Sequence, residues 1–223
     1  MVIVGDGHMS MSELRVRQAI VESCSQMNAS GLNHGSAGNI GVRYGDRILI
    51  TPSGVPYHRL DPQDIVSLDF DGGFQGNLQP STEWRFHRDI LATRPTVGAV
   101  VHAHPPYATA LAICRREIPA VHYMIAAAGG NTIRCAPYAT FGTAELSSQV
   151  LTALQGRHCC LLANHGLIAT GSSLQKAMWL ALETENLARQ YILSLTIGDP
   201  HVLSEEEIAI NIEKFSSYGP RDE

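Results

Sequence analysis

The chain has 223 residues, of which 44% are hydrophobic, and a formal net charge of −5. This length and composition predict one domain with a sizeable buried core. The negative charge and the scattered basic residues give no reason to expect a nucleic-acid partner. The apolar runs are too short for a membrane span and the N-terminus lacks a signal-peptide pattern, so we expect a cytoplasmic protein without a membrane partner.

Helices and strands are predicted in chain order from hydrophobic periodicity and from start and stop signals. The predicted elements are helix 10–31, a hairpin within 39–54, strand 64–73, helix 81–95, strand 96–105, helix 107–116, helix 143–156, a strand over 158–171 that pauses near its middle, helix 173–195, and a last helix from Ser204 to near Gly219. Strands cluster in the middle of the chain and no nucleotide-binding glycine motif follows any of them. We therefore expect an α/β fold with a central mixed, largely antiparallel sheet flanked by helices on both faces.

One domain is expected to cover residues 1–223. Residues 1–9 are expected to be disordered or loosely ordered, because they precede the first helix signal. Residues from about 200 to 223 are expected to form a mobile C-terminal tail.

Two histidines two residues apart, His102 and His104, follow a run of small apolar residues in the sequence AVVHAHPP. Side chains alternate along a strand with period two, so both imidazoles face the same way and lie close enough to bind one ion. Alone, the pair is weak support for a metal site, because exposed strand faces often carry histidine without a special role.

A third histidine, His165, lies between Asn164 and Gly166, where the predicted strand pauses. Gly166 permits an unusual backbone angle and the close approach of another group. Three imidazoles make a ligand set suited to Zn²⁺, with a fourth position for a carboxylate, water or substrate. Mn²⁺, Co²⁺ or Fe²⁺ could occupy the same ligands. The other seven of the ten histidines lack a comparable setting.

Glu83 stands at the start of a predicted helix in the segment PSTEWRF. One interpretation is structural, because an acidic residue in the first turn complements the helix dipole. Ser81 and Thr82 suggest another, since hydroxyls and free backbone N–H groups at a helix N-terminus can hold a phosphate. The small-residue turns 36–41 and 51–54 have similar chemistry, although such segments usually serve only as turns. Together with the histidines, these residues predict a metal site beside an anion site.

The runs PSTEWRFHRDI, VVHAHPPYATAL, HYMIAAAGGN, CAPYATFGT and LLANHGLIA together resemble the class II aldolase/adducin family. The resemblance extends from about residue 12 to Tyr218, and within the family it is nearest to the bacterial L-fuculose-1-phosphate aldolases. It implies a mixed sheet between helices and a homotetramer with active sites at subunit interfaces.

The resemblance also implies roles for individual residues. His102, His104 and His165 match the family's zinc ligands. Glu83 matches a carboxylate that ligates zinc in the resting site and serves as acid/base. The family's phosphate-binding turns are matched by Ser36, Asn39, Ser53, Gly54, Ser81 and Thr82. Ser36 and Ser53 replace expected threonines and Thr82 an expected serine, but each exchange keeps the hydroxyl.

Two tyrosines complete the implied catalytic set. Tyr123 matches one that reaches the site of a neighbouring subunit, and Tyr218 matches one on the mobile C-terminal tail. Each has a structural alternative: Tyr123 as a core aromatic with a satisfied hydroxyl, and Tyr218 as a frayed terminal residue.

The resemblance implies a zinc-dependent lyase whose partner is a phosphorylated sugar. The expected reaction is the reversible cleavage of a ketose 1-phosphate, with L-fuculose 1-phosphate as the expected substrate, to dihydroxyacetone phosphate and L-lactaldehyde. One alternative is another family member that acts on a related sugar phosphate as an epimerase, decarboxylase or dehydratase. The other is a non-catalytic, adducin-like interaction module.

Overall fold

An eight-stranded sheet forms the centre of the computed structural model, which describes residues 10–216. The described residues contain ten strands, eight of which belong to this sheet. They are β1 Asn39–Tyr44, β2 Arg47–Ile50, β3 Val66–Asp69, β4 Phe74–Gln75, β5 Ala99–Ala103, β6 Ile118–Pro119, β7 Thr132–Ile133, β8 Cys135–Ala136, β9 Cys159–Leu162 and β10 Gly166–Gly171. Across the large sheet the order is β4-β3-β2-β1-β5-β10-β9-β8, while β6 and β7 form a separate pair. Neighbouring strands are antiparallel except β8 and β9, which are parallel. The predicted mixed, largely antiparallel sheet is confirmed.

Helices cover both faces of this sheet, as predicted. The α-helices are α1 Met11–Ala29, α2 Trp84–Thr93, α3 Pro106–Ile113, α4 Ala144–Ala153, α5 Leu174–Ile197 and α6 Glu205–Ser216. Residues of α1, α3 and α5 pack on one face, around Val101 and Leu167. Residues of α2 and α4 pack on the other, around Val100 and Ile168. Within residues 10–216, no helix has the length and hydropathy of a membrane span.

Side-chain caps set the starts of several helices, because the first backbone N–H groups of a helix lack partners within it. The Ser10 hydroxyl accepts a hydrogen bond from the Glu13 N–H at 3.1 Å, and α1 begins where predicted. At the start of α6, the Ser204 hydroxyl accepts a hydrogen bond from the Glu207 N–H, and the Glu207 carboxylate accepts one from the Ser204 N–H. Ile208 of α6 is buried. The mobility expected of the C-terminal tail stays a prediction. Residues 1–9, which were expected to be disordered or loosely ordered, lie outside the described residues, as does the predicted end of the last helix near Gly219.

The prediction of one interrupted strand over 158–171 is wrong, because the chain reverses and β9 pairs antiparallel with β10. Asn164 has a φ of +56°, a left-handed conformation that asparagine adopts more readily than most residues. The His165 N–H donates to the Leu162 carbonyl at 3.0 Å and closes the turn. Since Leu167 pairs with Ala103, this turn lies beside the end of β5.

Candidate metal centre

The His-x-His pair lies at the end of β5, between β1 and β10. His102 alternates with Val101 and therefore faces α2, where its ring packs in a T-shaped arrangement against the Phe86 ring, with centroids 5.5 Å apart. His104 follows the strand, and its Nε2 lies 2.8 Å from the Nε2 of His102. The prediction that both imidazoles face one side is confirmed.

His165 joins this pair from the turn between β9 and β10. One ring nitrogen from each of His102, His104 and His165 lies within 4.8 Å of the others. The His102 Nδ1 lies 2.8 Å from the Leu167 carbonyl oxygen, which can only accept a hydrogen bond, so Nδ1 carries the proton. In the neutral form of His102, the Nε2 then offers its lone pair toward the centre of the cluster.

Glu83 lies beside the three histidines at the N-cap of α2, where its side chain caps no backbone N–H. Its Oε2 is 3.2 Å from the His102 Nε2, and its Oε1 is 3.4 Å from the His165 Nε2. Only 7% of Glu83 is exposed. A dipole role alone does not account for this position, because burying a carboxylate costs free energy unless it is paired.

Burial and neighbouring charges set the protonation states of this cluster. Burial alone would raise the pKa of Glu83, but the charges of His102 and His165 hold it well below its usual value. Burial would lower the pKa of His102, but the Glu83 carboxylate raises it. Burial, followed by the charge of His102, lowers the pKa of His104 to about 3 and that of His165 to about 4. At neutral pH His104 and His165 are thus neutral imidazoles and Glu83 is a carboxylate, the forms that bind metals. The Glu83 carboxylate favours the charged form of His102, which must release one proton when a metal binds.

These residues fit a divalent metal ion. Three imidazoles and a carboxylate are a donor set that zinc commonly takes. Glu83 oxygens lie 3.2 and 3.4 Å from the histidine nitrogens, so the donors converge to within the span that two ligand bonds of about 2.0–2.1 Å each can bridge. The Glu83 Oε1 is buried and accepts no hydrogen bond from any described residue, so a cation there would satisfy it.

Gly166 allows the close approach between the turn and the end of β5. A Cβ at this position would lie 2.3 Å from the Ala103 carbonyl oxygen and 2.8 Å from the Cδ2 of His104. The predicted close approach is confirmed. The prediction of an unusual backbone angle at Gly166 is wrong, because its φ is not in the left-handed range. The left-handed φ of this turn is at Asn164 instead.

The Gly166→Ala variant is expected to unfold more easily by about 1–3 kcal/mol, because its Cβ must displace backbone and the His104 ring. Metal affinity should fall with it. Urea denaturation and metal titration measure the two effects. Gly198→Ala is the control, since a Cβ there meets nothing within 4 Å, and it should change stability by less than about 0.5 kcal/mol. Wild-type stability and metal affinity in Gly166→Ala would contradict this account.

Two of the predicted phosphate-binding turns lie side by side next to this cluster. The Ser53 N–H donates to the Gln79 carbonyl and the Ser81 N–H donates to the Thr51 carbonyl, both at 3.0 Å. Ser53 and Thr82 consequently line one open cavity of about 540 Å³. Arg85, which the sequence analysis did not single out, lines the same cavity and adds a positive charge.

The remaining predicted phosphate residues occupy different environments. Gly54 has a φ of +71°, so the turn after Ser53 needs a glycine. Ser81 is buried, and its hydroxyl accepts a hydrogen bond from the Glu83 N–H at 3.3 Å. Ser36 is exposed in the loop before β1. The phosphate-binding roles of all these residues stay predictions.

Asn39 contacts the candidate acid/base rather than an open turn. Its Nδ2 donates to the Glu83 Oε2 at 2.9 Å, and its Oδ1 lies 2.5 Å from the His87 Nε2. No role for His87 is predicted from the sequence. The available signal was its position four residues after Glu83, a spacing that brings side chains together on a helix.

Tyr123 lies at the start of a short 3-10 helix, Tyr123–Ala128, with half of its surface exposed. The alternative that it is a core aromatic is therefore wrong. Its ring stacks on Phe215 of α6, with ring centroids 6.4 Å apart. Tyr218 lies outside the described residues.

Known proteins share this arrangement of sequence and fold. The family model for the class II aldolase and adducin N-terminal domain matches residues 18–192. A 5-methylthioribulose-1-phosphate/5-deoxyribulose-1-phosphate aldolase of Rhodospirillum rubrum is 53% identical over 93% of this chain and 94% of its own. The L-fuculose phosphate aldolase of Escherichia coli K12 is 52% identical over 96% of this chain and all of its own. A solved L-fuculose 1-phosphate aldolase, 38% identical, superposes with a TM-score of 0.90 over 94% of this chain and 99% of its own.

Proposed function

Because the chain belongs to the class II aldolase and adducin family, we propose that it is a zinc-dependent aldolase that cleaves a ketose 1-phosphate. The products are dihydroxyacetone phosphate and a small aldehyde. The observation that carries this proposal is the set of three converging imidazoles with the buried Glu83 carboxylate against two of them.

His102, His104 and His165 hold the metal in this proposal, with Glu83 as a fourth ligand in the resting site. Zn²⁺, when bound, supplies a Lewis acid for the negative charge that develops on the substrate's carbonyl and neighbouring hydroxyl oxygens. Another divalent metal could serve with the same ligands.

Glu83 moves the proton at carbon in this mechanism. A base takes the proton from the hydroxyl on C4, the C3–C4 bond breaks, and C4 leaves as the aldehyde. The bonding electrons remain on the C2–C3 fragment. Glu83 takes up, through solvent, the proton released from the C4 hydroxyl and delivers a proton to C3 to complete dihydroxyacetone phosphate. In the reverse direction Glu83 removes that proton.

The cavity lined by Ser53, Thr82 and Arg85 would hold the substrate phosphate. Hydroxyls and the N-terminus of α2 are suited to an anion, and Arg85 adds a charge-assisted donor. Anchoring the phosphate orients the C3–C4 bond at the metal centre.

Tyr123 and Tyr218 are proposed to exchange the proton on the C4 oxygen. The exposure of Tyr123 supports a role at a site formed with a neighbouring subunit, because an exposed aromatic with a polar tip suits an interface. We therefore propose a homotetramer with active sites at subunit interfaces.

Two substrate classes remain in competition, since a fuculose phosphate aldolase and a methylthioribulose/deoxyribulose phosphate aldolase are almost equally similar to this chain. The substrates share a 1-phosphate and a 2-ketone and differ at the aldehyde end. We propose L-fuculose 1-phosphate, with L-lactaldehyde as second product, as the first candidate. The 53% identical relative makes 5-deoxyribulose 1-phosphate and 5-methylthioribulose 1-phosphate the second.

An assay coupled to dihydroxyacetone phosphate release, run on all three substrates with zinc-loaded protein, tests the proposal. The highest kcat/KM identifies the aldehyde end that the site accepts. Release from none of them, together with epimerised or dehydrated product from a related sugar phosphate, would favour another reaction of the family. A protein that neither binds divalent metal nor gains activity from zinc would instead be an adducin-like interaction module.

A further inference from the structure

His87 is a fully buried histidine on α2. Its ring lies against Gly41 of β1 so closely that a Cβ on Gly41 would be 2.7 Å from the His87 Nδ1. The Phe86 ring lies beside it, with centroids 4.7 Å apart. The imidazole is thus held in place by its neighbours, and the aldol chemistry above does not use it.

A directional chain of hydrogen bonds joins His87 to Glu83 through Asn39. A carboxylate can only accept, so the Asn39 amide must turn its NH₂ toward the Glu83 Oε2, 2.9 Å away. The Asn39 Oδ1 then faces the His87 Nε2 at 2.5 Å, and only a donor can satisfy it. Burial lowers the pKa of His87 to about 3, so the ring is neutral and has one N–H. That N–H is on Nε2, and Nδ1 has no hydrogen-bond partner among the described residues.

We propose that His87 is a positioning residue that locks the Asn39 amide and, through it, aims the Glu83 carboxylate. This inference rests on the proposed function, in which Glu83 transfers the proton at C3. Without the His87 donor, the Asn39 amide loses the bond that selects its orientation and can present Oδ1 to the carboxylate. Two acceptors would then face each other, and Glu83 would leave its place.

The chain also distinguishes the two oxygens of Glu83. Oε2 is held by Asn39, whereas Oε1, 3.4 Å from the His165 Nε2, accepts no hydrogen bond from the described residues. Oε1 is therefore the oxygen that exchanges partners during turnover. A carboxylate tethered at one oxygen has less conformational freedom to lose on reaching the reactive geometry.

The first test compares zinc-loaded variants on whichever ketose 1-phosphate the wild type cleaves. His87→Leu should lower kcat by about 10- to 100-fold and leave KM within about twofold. Zinc per chain should be unchanged. His87→Gln can still donate to the Asn39 Oδ1 and should recover most of kcat. Thr184→Val, which removes a buried hydroxyl bonded to the Leu180 carbonyl in α5, controls for the loss of a buried polar group and should keep wild-type kcat.

A double-mutant cycle separates positioning from a general packing defect. If His87 acts through Asn39, adding His87→Leu to Asn39→Leu should cost less than about twofold further in kcat. The inference would be overturned if the kcat losses of the two single variants multiplied in the double variant. It would also be overturned if His87→Leu kept wild-type kcat. A kcat in His87→Gln as low as in His87→Leu would overturn it as well, when both variants fold and bind zinc.

The second test needs no turnover. In ¹⁵N-histidine NMR of the zinc-loaded wild type, His87 should be the neutral Nε2–H form. An Nδ1–H or doubly protonated His87 overturns the hydrogen-bond chain. Lack of dihydroxyacetone phosphate release by the wild type contradicts the proposed function instead, so the two failures can be told apart.

Discussion

Replacing Glu83 by glutamine is expected to lower kcat for ketose 1-phosphate cleavage by about 10²- to 10⁴-fold while the metal stays bound. Glutamine keeps the length of the side chain and an oxygen that can accept from Asn39, so the local packing is preserved. It cannot take up or deliver a proton. The three imidazoles still supply the ligand set that zinc sites commonly use. Steady-state kinetics and elemental analysis of the same preparation measure the two effects.

Glu145→Gln is the matched control, because Glu145 lies near a helix N-terminus, as Glu83 does, but is exposed in the first turn of α4. If Glu83 only complemented a helix dipole, the two variants would lose a similar, small amount of stability and no activity. Near wild-type cleavage by Glu83→Gln would refute the acid/base role. Loss of zinc from that variant would instead show that the carboxylate is required to hold the metal.

Replacing His104 by alanine is expected to abolish stable metal binding and to lower activity by more than about 10³-fold. His104 is a better choice than His102 for this substitution. His102 is fully buried and hydrogen-bonded to a backbone carbonyl, so the loss of His102 would also disturb the core. The variant should fold but melt at a lower temperature than the zinc-loaded wild type. A metal present at 100 times its dissociation constant stabilises the folded state by about 2.7 kcal/mol.

His58→Ala is the control for removing a histidine, because His58 is exposed in the short 3-10 helix Tyr57–Arg59. It should keep wild-type zinc content and activity. Metal-free wild type should resemble His104→Ala in melting temperature and should recover on adding zinc, whereas His104→Ala should not. Equal zinc content in His104→Ala and wild type would rule out His104 as a ligand.

The metal centre shows what the sequence could predict locally. The spacing of His102 and His104 was enough to place both imidazoles on one side of a strand, because alternation is a property of the extended backbone itself. Ser10 and Glu13 located the start of α1 for a similar reason, since capping involves only neighbouring residues. The turn at Asn164 was not recognised, and one strand was predicted where two pair. Asn164 reverses the chain through its left-handed backbone conformation. Hydrophobic periodicity carries no signal for the conformation of a single residue.

Other features depended on contacts between distant segments. The phosphate-binding role that the resemblance implies for Asn39 stays a prediction. The contact of its amide with Glu83 was not predicted, because it depends on the pairing of β1 with β5, which sets Asn39 opposite His102. His87 gave no signal by residue type, and its role depends on the fit of its ring against Gly41. Arg85 joined Ser53 and Thr82 only because the chain brings the turn at 51–54 next to α2.

The sequence by itself determined the α/β class, the caps of the helices and the residue types of a metal centre. These follow from periodicity and from chemistry within a few residues. Tertiary structure alone decided that His165 meets the His-x-His pair and that Asn39 and His87 hold Glu83. The physical reason is that side-chain distances between remote segments depend on strand order and register. Those are set by the packing of the whole core rather than by any one segment.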